Sequence, residues 1–149
     1  MSTPFQTTRL VEFHDTDMAG IMHFTSFFKY MESAEHELLR HLGLSVYSET
    51  EAGPISFPRV SARCDFQTPV RCEDVMEIEV SVVRLGEKSV TYEFVFNHDA
   101  EPVAVGQMTC VCCQVASDDA PQSIPIPSDV AEKLAAMVAP GDAEAADEA

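Results

Sequence analysis

The chain has 149 residues, about the length of one domain, with 25 acidic residues against 9 basic ones. Its formal charge of −16 would repel a phosphate backbone, and no Lys/Arg cluster offsets it. No apolar run approaches the roughly 20 residues that span a bilayer, and the start "MSTPFQTTRL" does not resemble a secretory signal. We therefore expect a cytoplasmic protein that binds neither nucleic acid nor membrane.

The first elements follow from hydrophobic periodicity. "TTRLVEF" alternates as a half-buried strand does, and "HDTDMAGIMH" has no period, which predicts a loop with a turn near Ala19 and Gly20. A one-sided helix of about five turns follows, which Thr25 or Ser26 caps and Gly43 ends. Its apolar positions recur every three or four residues: Phe24, Phe27, Phe28, Met31, Ala34, Leu38 and Leu42.

Four further strands are predicted beyond the loop "LSVYSETEAGPIS". They are "FPRVSARCDFQ", "DVMEIEVSVVRLG", "KSVTYEFVFNH" and "EPVAVGQMTCVCCQVA", rich in β-branched or aromatic residues and joined by short breaks. A short Pro-initiated helix, "SIPIPSDVAEKLAAM", comes next. This order predicts an α+β domain over residues 1–138, followed by an acidic, Ala-rich tail over 139–149 that we expect to be disordered.

The five cysteines favour buried thiols over a disulfide framework or a zinc site. Their number is odd, nothing indicates export, and Cys113 should face away from Cys110 and Cys112 on a strand. A mixed metal site of His14, Asp15, Asp17 and His23 is also disfavoured, because adjacent His14 and Asp15 should point apart and no HxxxH pair is present. We predict no metal.

Asp17 is the main candidate for chemistry. A carboxylate before a helix lies near unpaired backbone N–H groups and the positive end of the helix dipole. The same N–H groups can bind a carbonyl and its oxyanion, while Asp17 attacks the carbon or deprotonates a water. Spacing alone favours the simpler explanation that Asp15 and Asp17 cap the turn or helix.

The run "FHDTDMAGIMHFTSFFKYMESAEHELLRHLGL" resembles the signature of the 4-hydroxybenzoyl-CoA thioesterase family of the hotdog fold. The similarity rests on Asp15, Thr16, Asp17, Gly20 and Ile21, then Glu32 in the helix, with support from "FPRVSARCDF", "GEKS" and "IPIPSDV". It covers about 120 residues. The resemblance implies a long helix wrapped by a curved antiparallel sheet of about five strands. It also implies dimers that join sheet edges, some of them assembled into tetramers, with active sites at the subunit interface.

The resemblance also assigns roles to individual residues. Asp17 aligns with the catalytic Asp, Gly20 with the turn glycine, and the backbone amides near His23 and Phe24 with the carbonyl-binding donor. Asp15 takes a structural or orienting role. Some relatives carry a His one position later than His23, where this chain has Phe24, so His23 faces the acyl group, contacts a partner subunit or is a satisfied surface residue. Glu32 lies near the substrate pocket or is a solvated helical acid.

Coenzyme A is anionic, so an acidic protein that binds it needs local positive charge. Arg59 is a candidate, and Lys88 with Ser89 occupies the hairpin where the family often contacts the nucleotide. Three functions remain: thioester hydrolysis without a cofactor, a hotdog dehydratase, or a non-catalytic acyl-CoA-binding module. A dehydratase would need a catalytic His in the loop, and a binding module would be expected to carry a DNA-binding segment. Hydrolysis is therefore favoured, with the acyl group open between aromatic and aliphatic.

Overall fold

A long helix packs across a five-stranded antiparallel sheet in the computed structural model, which describes residues 3–116 and 118–139. The strands are β1 (Phe5–Leu10), β4 (Arg59–Phe66), β5 (Val75–Leu85), β6 (Ser89–His98) and β7 (Glu101–Val111). Their order in the sheet is β1-β5-β6-β7-β4. The predicted α+β architecture is confirmed, including the single long helix and the five main strands.

The long helix α1 (Phe24–His41) buries one side against the sheet, as its three- and four-residue spacing predicts. Met31, Ala34 and Leu38 are fully buried in one apolar cluster with residues of β5, β6 and β7. The predicted cap is wrong, because the N-cap is His23, whose ring accepts the Thr25 N–H. At the other end, Gly43 adopts a positive φ of 76°, consistent with the predicted stop.

A second, smaller sheet was not predicted. Its order is β2-β3-β8-β9, formed by β2 (Tyr47–Thr50), β3 (Gly53–Ser56), β8 (Cys113–Gln114) and β9 (Gln122–Ser123). The segments "YSET" and "GPIS" are short and lack an apolar alternation, and their pairing depends on distant residues. Part of the loop predicted after α1 is therefore a hairpin.

The last described element is α2 (Ser128–Ala135), which begins after Pro127 as predicted. Beyond it the chain stays docked on β5, since the Val82 N–H donates to Met137 O and the Ala139 N–H donates to Val82 O. The predicted tail, residues 139–149, lies outside the described residues except for Ala139. Within the described residues, no helix has the length and apolar character needed to cross a bilayer.

The two edge strands differ in their surroundings. β1 lies at one edge of the sheet. β4 lies at the other edge and is largely exposed, with Val60 62% exposed and Phe66 50% exposed.

Five free cysteines are present, and Cys110, Cys112 and Cys113 are buried, as predicted for core thiols.

Candidate active site

The Asp17 turn, residues 17–20, lies between β1 and α1. The Asp17 N–H donates to Ile21 O (2.8 Å), and the Gly20 N–H donates to Asp17 O (3.0 Å). Gly20 has a φ of 79°, a conformation that side chains with a Cβ rarely adopt. Thr16 and Met22 then form an antiparallel bridge. These bonds reverse the chain immediately before the helix and fix the backbone that carries Asp17.

The two oxygens of the Asp17 carboxylate have different environments. Oδ1 accepts the Ala19 N–H at 2.8 Å and makes a longer contact of 3.4 Å with the Ile21 N–H. Within residues 3–116 and 118–139, Oδ2 has no hydrogen-bond partner, and the carboxylate forms no ion pair. One oxygen therefore orients the group while the other is open to a ligand.

Asp15 anchors the same loop to α1. Its buried carboxylate accepts the Tyr30 hydroxyl (2.6 Å) and the Glu12 N–H (3.1 Å). Its carbonyl accepts the His23 N–H (2.8 Å) and the Ser26 hydroxyl (3.0 Å). Burial, reinforced by the hydrogen bond to Asp15, raises the pKa of Tyr30 above its ordinary value, so this hydroxyl remains a donor. These contacts fit the orienting role expected of Asp15.

His23 and Phe24 form the junction between the loop and α1. The His23 Nδ1 accepts the Thr25 N–H (3.2 Å) and contacts the Thr25 hydroxyl, and the imidazole stacks on the Phe24 ring at 4.8 Å. The His23 N–H is occupied by Asp15, whereas the Phe24 N–H has no acceptor in the described part of the chain. Of the two predicted amide donors, that of Phe24 is therefore the one available to a substrate.

Two concave surfaces meet at Asp17 and Phe24, which line both. The first, the acyl cavity, has a volume of about 320 Å³ and is mainly apolar. The second, the outer groove, is a wider depression of about 820 Å³. The remaining lining of the acyl cavity is Ile21, Met22, Phe27, Phe66, Gln67, Thr68, Pro69 and Val70. That of the outer groove is Phe13, Thr16, Met18, Ala19, Gly20 and His23.

The buried acid of α1 is Glu35. Glu32 was expected either near the substrate pocket or as a solvated helical acid. Glu32 is exposed and lines neither surface. Glu35 is 1% exposed, and both of its oxygens accept hydrogen bonds from the Arg59 guanidinium. Glu35 follows Met31 by four residues and precedes Leu38 by three, so its place on the apolar side of the helix was the signal that could have identified it.

Arg59 was predicted to contact coenzyme A, but its charge is already neutralised inside the fold. Besides binding Glu35, it contacts the Cys110 sulfur (3.1 Å) and lies 3.7 Å from Glu32. Burial opposes its charge, but the Glu35 carboxylate outweighs that effect and raises the pKa of Arg59. The structure thus gives Arg59 a structural partner, and its contact with coenzyme A stays a prediction without support.

Lys88 and Ser89 lie in the hairpin between β5 and β6, where the Gly86 N–H donates to Ser89 O (2.8 Å). β5 starts beside Leu10, at the sheet end that leads into the Asp17 turn, and reaches this hairpin after 11 residues. A strand of that length spans about 35 Å. Within one chain the hairpin is therefore remote from Asp17, and its contact with coenzyme A stays a prediction.

Residues after β4 contribute to the site and were missed. The Met22 N–H donates to Val70 O (2.8 Å), which brings the segment from Phe66 to Arg71 beside the Asp17 turn. The Arg71 Nη1 donates to Gly20 O at 3.3 Å and adds a positive charge there. No sequence signal could identify these residues, since about 50 positions separate them from the turn and only tertiary pairing joins them.

Among the described residues, one group of three potential metal-ligating side chains occurs: Glu12, His14 and Asp15. The His14 Nε2 lies 3.5 Å from a carboxylate oxygen of each acid. The expectation that His14 and Asp15 point apart is wrong, because Phe13–Asp15 forms a 3₁₀ turn rather than a strand. The Asp15 carboxylate also accepts the Tyr30 hydroxyl, and the Glu12 and His14 side chains are exposed.

The family model of the thioesterase-like superfamily matches residues 11–134. The chain belongs to this family. It is 30% identical over 111 residues to the 1,4-dihydroxy-2-naphthoyl-CoA hydrolase of Synechococcus elongatus, covering 74% of this chain and 82% of that protein. This membership identifies the protein as a thioester hydrolase.

Solved structures agree with the family assignment. The chain is 32% identical to a gentisyl-coenzyme A thioesterase, with a TM-score of 0.76, covering 87% of this chain and 99% of the other. A 1,4-dihydroxy-2-naphthoyl-CoA thioesterase from Synechocystis gives a TM-score of 0.79 at 22% identity, covering 89% and 96%, which concerns the fold alone. The predicted hotdog fold is confirmed.

Proposed function

We propose that this protein hydrolyses an acyl-CoA thioester to a free acid and coenzyme A, with Asp17 as the catalytic residue. The observation that carries the proposal is the position of Asp17 where the acyl cavity meets the outer groove, with Oδ2 open. A thioester that spans the two surfaces would place its carbonyl at this junction, within reach of the Phe24 N–H.

Two routes fit this arrangement. In the first, Asp17 attacks the carbonyl carbon, the coenzyme A thiolate leaves, and water cleaves the resulting acyl-aspartyl anhydride to regenerate the carboxylate. In the second, Asp17 takes a proton from a water that attacks the carbon, and the proton passes to the departing sulfur. In both routes the Phe24 N–H, at the positive end of α1, stabilises the oxyanion. The protein's own groups suffice, so no cofactor is required.

The acyl group that fits best is aromatic. Phe24, Phe27 and Phe66 line the acyl cavity, and the Phe27 and Phe66 rings make an edge contact at 5.1 Å. Flat apolar surfaces of this kind favour stacked or edge-on aromatic rings. Relatives named for a dihydroxynaphthoyl and a gentisyl thioester support the same class.

Coenzyme A would extend along the outer groove. The exposed Arg71, bonded to Gly20 O, provides local positive charge against the formal −16 of the chain. We place the reaction in the cytoplasm, which suits five free thiols and a coenzyme A substrate.

Replacing Asp17 with Asn tests this function. The amide can neither attack nor accept a proton, so we expect turnover of aryl-CoA thioesters to fall ~10²–10⁴-fold in a thiol-release assay while the melting temperature changes little. The matched control is Asp118→Asn, an exposed turn acid remote in sequence from the site. Near wild-type turnover in the Asp17 variant would contradict the mechanism.

We also propose that the protein is a homo-oligomer, a dimer or tetramer. The β4 edge is supported on one side only and exposes Val60 and Phe66, and folded proteins seldom leave such an edge unpaired. Sedimentation velocity at micromolar concentration should therefore give a dimer or tetramer, and Val60→Lys should shift it toward monomer. A monomer for the unmodified chain would count against a site shared between subunits.

A further inference from the structure

Apart from Asp17, the lining of the acyl cavity has one polar section. Ile21, Met22 and Phe27 form one wall, from the loop and α1, while Gln67 and Thr68 are adjacent polar residues directly after β4. Sites for purely apolar groups are lined by apolar side chains, and the few polar groups in a ligand cavity fix orientation and specificity. Gln67 and Thr68 are exposed, so this polar pair is open to a ligand that enters the cavity.

The backbone at this position is held in place on both sides. The N–H groups of Gln67 and Thr68 both donate to Val103 O, at 2.8 and 3.2 Å. Pro69 follows, and Val70 O accepts the Met22 N–H at 2.8 Å. The segment thus spans from β7 to the Asp17 turn with its main chain fixed, which positions the two side chains relative to the catalytic loop.

The side chains themselves are available for binding. In the part of the chain that the structure describes, neither the Gln67 amide nor the Thr68 hydroxyl has a side-chain hydrogen-bond partner. An amide and a hydroxyl each donate and accept, so together they match a group that also does both. A hydroxyl on an aromatic ring is such a group.

We propose that Gln67 and Thr68 determine acyl specificity by hydrogen-bonding a ring hydroxyl of the aromatic acyl group. The proposal rests on the proposed function, since it concerns the same cavity and the same thioester. The ring lies among the apolar residues, the thioester carbonyl lies at Asp17, and the hydroxyl faces residues 67 and 68. A ring without the hydroxyl leaves these two polar groups without a partner once water is displaced, which selects against it.

The test compares substrates that differ by one hydroxyl: benzoyl-CoA and its 2-, 3- and 4-hydroxybenzoyl counterparts. For the unmodified protein, we expect kcat/KM for at least one hydroxybenzoyl isomer to exceed that for benzoyl-CoA at least about tenfold. In the Gln67→Leu/Thr68→Val double variant this ratio should fall to about threefold or less. The measured quantity is the ratio, which is insensitive to the amount of active enzyme.

Additional variants separate specificity from folding. Gln67→Met and Thr68→Val, made singly, should each lower the ratio, whereas Thr68→Ser keeps the hydroxyl and should preserve it. Gln122→Leu, an exposed glutamine in β9, should also preserve it. Equal rates for benzoyl-CoA and all three isomers, or a preference that survives in the double variant, would overturn the assignment of Gln67 and Thr68. No hydrolysis of any acyl-CoA by the folded protein would instead overturn the proposed function, and this inference with it.

Discussion

The carboxylates of Asp17 and Glu35, 18 residues apart in sequence, lie in opposite environments. Asp17 is half-buried at the junction of two surfaces, and its backbone N–H bonds within the described residues are made through Oδ1. Glu35, about three helical turns along α1 from Phe24, is 1% exposed and held by the Arg59 guanidinium. An acid that must react with a ligand is left with an open oxygen, whereas an acid inside the core requires a fixed cation.

The surroundings of Glu35 show how demanding burial is. Burial raises the pKa of the Glu35 carboxyl, and Arg59 opposes that shift by charge and hydrogen bonding. The neighbouring Cys110 thiol has its pKa raised to about 12, by burial first and then by the Glu35 charge, so it stays protonated. The group joins α1, β4 and β7 across the core. Changes here should affect stability, while changes at Asp17 should affect rate.

The largest expected effect on stability comes from Arg59→Met. This change leaves a buried carboxylate without its cation, which costs about 3–5 kcal/mol of unfolding free energy. Urea unfolding would measure it. Adding Glu35→Leu to Arg59→Met removes the unpaired charge and should recover much of the loss.

The control for this pair is Arg63→Met. Arg63 is an exposed residue of the same strand whose guanidinium, among the described residues, bonds only the Gln107 side chain, so its loss should cost well under 1 kcal/mol. If Arg59→Met lowered the free energy of unfolding as little as Arg63→Met, Glu35 would have to be neutral or solvated. Glu35 and Asp17 would then not differ in the way described above.

The same contrast explains what the sequence could reveal. The long helix, five strands and Asp17 turn follow from periodicity, from turn residues and from a motif contained in one continuous segment. Glu35 and Arg59 are 24 residues apart and meet only when β4 packs near α1, so composition and spacing could not pair them. The segment from Gln67 to Arg71 joins the site for the same reason, through the backbone bond between Met22 and Val70.

A smaller effect on stability, with a separate effect on rate, is expected for Gly20→Ala. The φ of 79° is strained for alanine, which costs on the order of 1 kcal/mol. Gly43→Ala meets the same backbone penalty at a φ of 76°, beyond the far end of α1. Both variants should therefore lower the melting temperature to a similar extent.

Turnover should distinguish the two glycine variants. Gly20 belongs to the turn that orients Asp17, and an added Cβ would lie 3.4 Å from Arg71 Nη1. We expect Gly20→Ala to lower kcat about tenfold or more, because small displacements of a catalytic group cost that much. Gly43→Ala should keep kcat near the unmodified value. Equal kcat in both would mean that the Asp17 turn tolerates distortion.

The smallest effect is expected from truncation after Pro140, which removes Asp142, Glu144, Asp147 and Glu148 and takes the formal charge from −16 to −12. The removed segment carries no base and no large apolar residue, so it has little apolar surface to bury in return for ordering. The backbone hydrogen bond that docks Ala139 on Val82 is retained.

The melting temperature and kcat should be nearly unchanged, because neither the Glu35–Arg59 pair nor the Asp17 turn loses a contact. Asp17 lines the open outer groove, however, so the net negative charge of the protein repels an anionic substrate that approaches it. KM for an aryl-CoA should therefore fall modestly at low salt, and the difference should vanish at about 0.5 M salt, where charges are screened beyond a few ångströms. Loss of activity or dissociation of the oligomer on truncation would show that residues beyond Pro140 contribute to the fold or the site, and that the predicted end of the domain is wrong.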